Sequence, residues 1–154
     1  MPTVTLREVT ADTVRDICRL KVSPAQEQFV APNAISIAEA YFAPYAWFRA
    51  IYADETPVGF VMLALRPDDP EQPYFVWRYM IDAQHQGNGY GEAAMRQVID
   101  FVRTQPDAQA LYLSCVQAPG GPDGFYRRLG FVDTGVVLGD EHVMRLDLHA
   151  APNP

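Results

Sequence analysis

The chain of 154 residues predicts an α+β fold, a mixed, mostly antiparallel sheet of six to seven strands flanked by helices. Two observations carry that expectation. Segments with strand character outnumber those with helical character, and the strands come in hairpins, which a doubly wound parallel sheet does not use. The composition, 49% hydrophobic and 20% charged, is that of an ordinary globular domain long enough to bury a core without disulfide or metal staples.

In chain order, Thr3–Val9 alternates polar and apolar residues as a half-buried strand does. Asp12 or Thr13 caps a helix running to Leu20, with Val14, Ile17, Cys18 and the stem of Lys21 along one side. Ser23-Pro24 opens a second short helix, the proline sitting where its missing N–H costs nothing. Ser36 and Glu39 have the spacing of a capping box for a third. Strands at Ala46–Ala53 and Pro57–Leu65 follow, joined by Asp54-Glu55-Thr56 as a hairpin. A proline-rich loop leads to the aromatic strand Tyr74–Ile81. After Gly87-Asn88-Gly89-Tyr90-Gly91 comes a helix to about Arg103, with an apolar stripe at Ala94, Met95, Val98, Ile99 and Val102. Leu111–Val116 is a short central strand. A helix from Pro122 stops at Gly130, and strands at Phe131–Val137 and Val143–Leu148 complete the set. Residues 1–149 read as one domain, and residues 150–154 as a flexible tail.

Several functional classes are disfavoured at once. A net charge of −7, with Lys21 the one lysine among twelve basic residues, argues against a nucleic-acid surface. No apolar run reaches the roughly 20 residues that cross a bilayer, and no secretory signal pattern opens the chain, so a cytoplasmic protein with no membrane partner is expected. Cys18 and Cys115 are too few for a disulfide framework or a zinc site and read as buried thiols. His142 and His149 have no metal-ligand spacing, and no metal is expected.

The chemistry concentrates in the glycine turn. Three glycines within Gly87–Gly91 let the backbone turn sharply between a strand and a helix. Several N–H groups then converge on one point, reinforced by the positive end of the helix dipole, which makes an anion site needing no charged side chain. A dinucleotide fingerprint would place glycine at Glu92, and a P-loop would need Gly-Lys-Ser/Thr; neither pattern is present.

The segment Gln84-His85-Gln86-Gly87-Asn88-Gly89 resembles the Gln/Arg-x-x-Gly-x-Gly/Ala motif of the GNAT N-acetyltransferase superfamily. Downstream, Phe125-Tyr126-Arg127-Arg128-Leu129-Gly130-Phe131 resembles its Phe-Tyr-x-x-Leu-Gly-Phe segment. The resemblance implies transfer of acetyl from acetyl-CoA to an amine by direct attack. Gln86, Gly87, Asn88, Gly89, Tyr90 and Gly91 would hold the pyrophosphate of coenzyme A, and Met80 and Ile81 the pantetheine arm. Tyr126 would protonate the leaving thiolate, and a backbone N–H near Met80 would receive the oxyanion. Pro119 departs from the pattern, since many members carry asparagine there.

The group that removes the ammonium proton stays open among Glu27, Glu39 and a water chain held by residues such as Ser114. The region Gln26–Tyr41 and the run Trp77–Ile81 resemble bacterial spermine/spermidine (diamine) acetyltransferases. That implies a polyamine acceptor held by Glu27, Glu39, Tyr41 and Trp77, with Tyr45 and Trp47 as further aromatics. Two alternatives remain at this point: an acetyltransferase for an aminoglycoside, amino acid or protein N-terminus, and an acyl-CoA sensor without turnover. Superfamily members are often dimers, so a homodimer is the expectation the resemblance adds.

Overall fold

The computed structural model describes residues 1–149, and the tail expected at residues 150–154 lies outside them. Seven strands form one sheet in the order β1-β2-β3-β4-β5-β7-β6. They are β1 Val4–Arg7, β2 Ala46–Ala53, β3 Thr56–Leu65, β4 Tyr74–Ile81, β5 Ala110–Val116, β6 Val132–Leu138 and β7 Glu141–Asp147. Four α-helices accompany them: α1 Val14–Arg19, α2 Asn33–Tyr41, α3 Tyr90–Arg103 and α4 Asp123–Arg128. Short 3-10 helices at Pro24–Phe29 and Ala83–His85 complete the elements.

Apolar residues line both faces of the sheet because helices cover both. In β3 seven consecutive residues are buried, so the alternation of a half-buried strand gives way to continuous burial. One face packs Ile51, Val61, Leu63, Val76 and Leu113 against the apolar stripe of α3 and against Tyr126 and Phe131 near α4. The other packs Ala50, Phe60, Met62 and Met80 beneath Ile17 of α1 and Ile37 of α2. All pairings are antiparallel except β4 with β5, which is parallel.

That parallel pairing is short, with Phe75 opposite Tyr112 and Val76 opposite Leu113 and no further pairs. On the other side of β4 the register slips, Leu63 facing Val76 and Met62 facing Arg78, so Trp77 is an extra residue. A bulge of this kind increases local twist. It coincides with the point where β4 and β5 part, and the gap they leave is the cleft described below.

Two helix starts differ from expectation. Thr13 precedes α1, but its hydroxyl accepts from the Thr10 N–H at 2.9 Å and makes no capping hydrogen bond to the helix. The second is that of α2. Ser36 and Glu39 do not form a capping box, because α2 begins earlier, at Asn33. Ser36 is buried in its first turn, where its hydroxyl donates to the Pro32 carbonyl at 3.4 Å. The tertiary structure places the start instead: the buried Asn33 amide donates to the Ile17 carbonyl at 2.9 Å, tying α2 to α1. The thiols also differ, since Cys115 is buried but Cys18 is only half-buried.

Candidate active site

Between the parted strands lies a cleft of about 1060 Å³, with the glycine turn at one end. Its walls come from β4, β5, the first 3-10 helix, the start of α3 and α4. Gly87 and Gly89 take positive φ angles of 82° and 81°, which side chains other than glycine rarely adopt. A Cβ at either position would meet nothing within 4 Å, so the backbone there is open to the cleft. The fourteen-residue helix α3 begins immediately after with no side-chain cap, leaving its first N–H groups to face an anion.

The turn is fastened from behind. Asp82 accepts hydrogen bonds from the Lys21 N–H at 2.8 Å and the Gln84 N–H at 3.1 Å, joining the end of β4 to the segment after α1. The Gln86 amide donates to the Ile81 carbonyl and to Gln26 Oε1, both at 2.9 Å, and so ties the turn to the first 3-10 helix. The Asn88 amide folds back on the His85 carbonyl at 3.0 Å, and Asn88, expected to hold the coenzyme, is not among the residues that line the cleft. The Tyr79 hydroxyl donates to the Gly91 carbonyl, and its ring stacks on Phe125 with centroids 6.2 Å apart.

Tyr126 enters the cleft from α4. Its ring packs edge-on between Phe125 and Phe131, and it is only 7% exposed. Burial raises its phenol above the ordinary value, and the nearby Cys115 thiol adds to the effect. The group therefore holds its proton throughout neutral pH. Gly130, with φ 106°, ends α4 and returns the chain to β6. At the Pro119 departure, the loop presents the cleft with Gly120, Gly121 and Pro122. It is a tight turn, with the Gly121 N–H donating to the Ala118 carbonyl at 2.8 Å.

The expected acceptor residues divide. Glu27 and Trp77 line the cleft beside Met80 and Ile81. Tyr41 does not: it is 85% exposed and packs edge-on against Phe42. Glu39 stands behind the wall, with its carboxylate 3.4 Å from Arg78, which does line the cleft. Tyr45 stacks on Trp77 at 6.0 Å, whereas Trp47 stacks on Phe101 of α3 at 4.3 Å. Ser114, Cys115 and His85 line the cleft. Burial pushes the Cys115 thiol up to about 11, which suits an inert residue better than a nucleophile. His142 sits 3.1 Å from Asp133 instead, and His149 lies 2.7 Å from the Ala108 carbonyl.

Sequence reasoning missed Arg78, Glu141, Asp82 and Gln26. Arg78 alone left a signal, a charge inside the aromatic strand Tyr74–Ile81. Glu141 reaches the cleft only because β7 pairs with β5. Among the described residues no group of three or more His, Cys, Asp or Glu side chains is arranged to hold a metal, and no helix is long and apolar enough to cross a membrane.

Comparison with known proteins agrees with this geometry. A family model described as "Acetyltransferase (GNAT) family" matches residues 14–131. The spermine/spermidine N(1)-acetyltransferase of Bacillus subtilis (strain 168) is 26% identical over 136 residues, spanning 86% of this chain and 90% of that protein. Among solved structures, an acetyltransferase from Thermus thermophilus superimposes with a TM-score of 0.73 at 17% identity, covering 96% of this chain and 99% of that one. A spermidine N-acetyltransferase from Vibrio cholerae, solved with CoA and spermine, gives 0.72 at 17% identity over 94% and 95% of the two chains. The fold, the glycine turn and the family match over residues 14–131 lead to one conclusion: this chain belongs to the GNAT acetyltransferase family and is an acetyl-CoA-dependent N-acetyltransferase.

Proposed function

We propose that the acceptor is a polyamine such as spermidine or spermine. The observation that carries this reading is the composition of the cleft, where the carboxylates of Glu27 and Glu141, besides Glu92 at the start of α3, accompany the indole of Trp77. An alkyl diammonium chain is recognised by carboxylates spaced along an aromatic surface, which combine charge-assisted hydrogen bonds with cation–π contact. The relatives named for spermine and spermidine acetylation support the same class.

In this reading the open N–H groups of Gly87, Gly89 and the first turn of α3 hold the pyrophosphate of acetyl-CoA. The β4 edge from Trp77 to Ile81, which has no partner in β5, pairs with the pantetheine arm. Tyr126 gives its proton to the departing sulfur. Coupled thiol-release assays with acetyl-CoA and a panel of spermidine, spermine, amino acids and aminoglycosides test it. Turnover confined to amino acids or aminoglycosides would reject the polyamine, and tight coenzyme binding with no thiol release would point to a sensor.

A further inference from the structure

The acceptor must reach the thioester as a neutral amine, yet Glu39 and Glu27, the acidic candidates for a base, are poorly placed. Glu39 is held by Arg78, and Glu27 lies on the exposed surface of the first 3-10 helix. What faces the split is a cation. Arg78 follows the bulged Trp77 directly, where β4 loses β5 as a partner. Its Nη1 donates to the Trp77 carbonyl at 3.0 Å, its Nη2 to Glu39 Oε1 at 3.4 Å, and its guanidinium carbon lies 5.7 Å from the Trp77 ring centre. The side chain is 22% exposed, and its Nε is buried without a partner among the described residues. Such a guanidinium is a fixed charge with little freedom to swing away.

We propose that the Arg78 guanidinium favours the neutral form of the acceptor amine by charge repulsion, with Glu39 as the positioning residue that tempers the repulsion. The inference rests on the cleft being the acceptor site and holds for any alkylamine. An ammonium entering beside Arg78 loses one proton to water. The nitrogen lone pair then forms the C–N bond to the acetyl carbon as the C–S bond breaks. Tyr126 protonates the sulfur, and the second proton shed by nitrogen restores the phenol. The remaining positive charge of a polyamine extends toward Glu27 and Glu141. The field at the amine has other contributors: Glu39 from α2, Glu27 from the first 3-10 helix, Tyr79 from β4, His85 beyond β4, Tyr90 and Glu92 from α3, Cys115 from β5, Tyr126 and Arg128 from α4, and Glu141 from β7. Of the two arginines that line the cleft, Arg78 is the one on β4, at the bulge where that strand parts from β5.

A full charge about 7 Å away, at an effective dielectric near 20, would lower the pKa of an ammonium by roughly 1.7. Partial neutralisation by Glu39 reduces that to about one pH unit. The experiment is the pH dependence of kcat, which reports ionisation in the bound complex, for wild type, Arg78→Gln, Arg78→Lys and Glu39→Gln, each at saturating spermidine. Arg78→Gln is expected to move the acidic limb up by about one pH unit, a roughly tenfold loss of rate below the limb. Glu39→Gln is expected to move it the opposite way, and Arg78→Lys to stay near wild type because it keeps the charge. Limbs that coincide, or that move together in Arg78→Gln and Glu39→Gln, would overturn the proposal, since a purely structural role predicts no opposite shifts. If wild type acetylates none of the amines, the acceptor reading and this inference fall together. A wild type that turns over with a limb indifferent to Arg78 overturns the inference alone.

Discussion

Removing one oxygen atom tests the role given to Tyr126. Tyr126→Phe keeps the ring between Phe125 and Phe131, where centroid distances of 5.2 and 5.7 Å come from the ring and not the hydroxyl. The folded state should therefore change little, by less than about 1 kcal/mol, because ring packing and apolar burial are retained. Turnover should not be spared. A positioned general acid contributes roughly 10²- to 10⁴-fold, or about 3–5 kcal/mol of the barrier. Steady-state assays should show kcat falling at least about 10²-fold with the KM for acetyl-CoA nearly unchanged, as for an interaction made only in the transition state. A thioester whose thiol is more acidic needs less help in leaving, so the defect should shrink with such a donor. The phenol also marks the pH–stability curve. Its folded pKa is raised by burial, so the unfolded chain loses the proton first, near pH 10. Its contribution is complete below that pH and declines as pH rises toward the folded value. Urea midpoints of wild type should fall above pH 10 more steeply than those of Tyr126→Phe. Full turnover by Tyr126→Phe with every donor would refute the assignment.

Three further outcomes follow from particular contacts. Gly89→Val places a β-branched residue at φ 81°, so isothermal calorimetry should show coenzyme binding weakened by tenfold or more; binding equal to wild type would remove the turn from the coenzyme site. Gly59→Ala would bring a methyl group to 2.8 Å from Ile81 Cδ1, and closer still to the Met80 carbonyl oxygen; denaturant titration should show a loss of about 1–3 kcal/mol as β4 is pushed aside. Thiol labelling of the native protein at pH 7.5 should modify Cys18 but spare Cys115 until unfolding, and Cys115→Ala should keep its turnover; rapid labelling at Cys115 would contradict its burial and raised pKa.

The strands and helices were legible because local patterns and burial agree over most of the chain. The β2 span matches its expected limits, Ala46–Ala53, and β4 and α3 match closely, since their apolar periodicities meet covering elements on the expected sides. Ser36 was misread because the Ser-x-x-Glu spacing is local, whereas the start of α2 depends on Asn33 reaching Ile17, sixteen residues away. The glycine turn was legible for a different reason: positive φ leaves a residue-type signature that any sequence displays. The fastening of that turn by Asp82 and Gln26 was not, because polar residues at those positions fit a surface loop equally well until the partner strand is in place.

By itself the sequence determined the sheet-and-helix plan and a sharp glycine turn at Gly87–Gly91, and a family resemblance pointed to the tyrosine downstream at position 126. The plan and the turn follow from short-range constraints on backbone angles and apolar spacing, Tyr126 from the resemblance alone, and the family match makes the chain an acetyltransferase. Only the tertiary structure decided that β4 and β5 share just two residue pairs before parting, that Trp77 bulges there, and that Arg78 meets the cleft while Glu39 stands behind it. These depend on pairings between segments tens of residues apart. A slip of one residue in strand register turns a side chain to the other face of a sheet, and sequence alone does not record which face a neighbour leaves open.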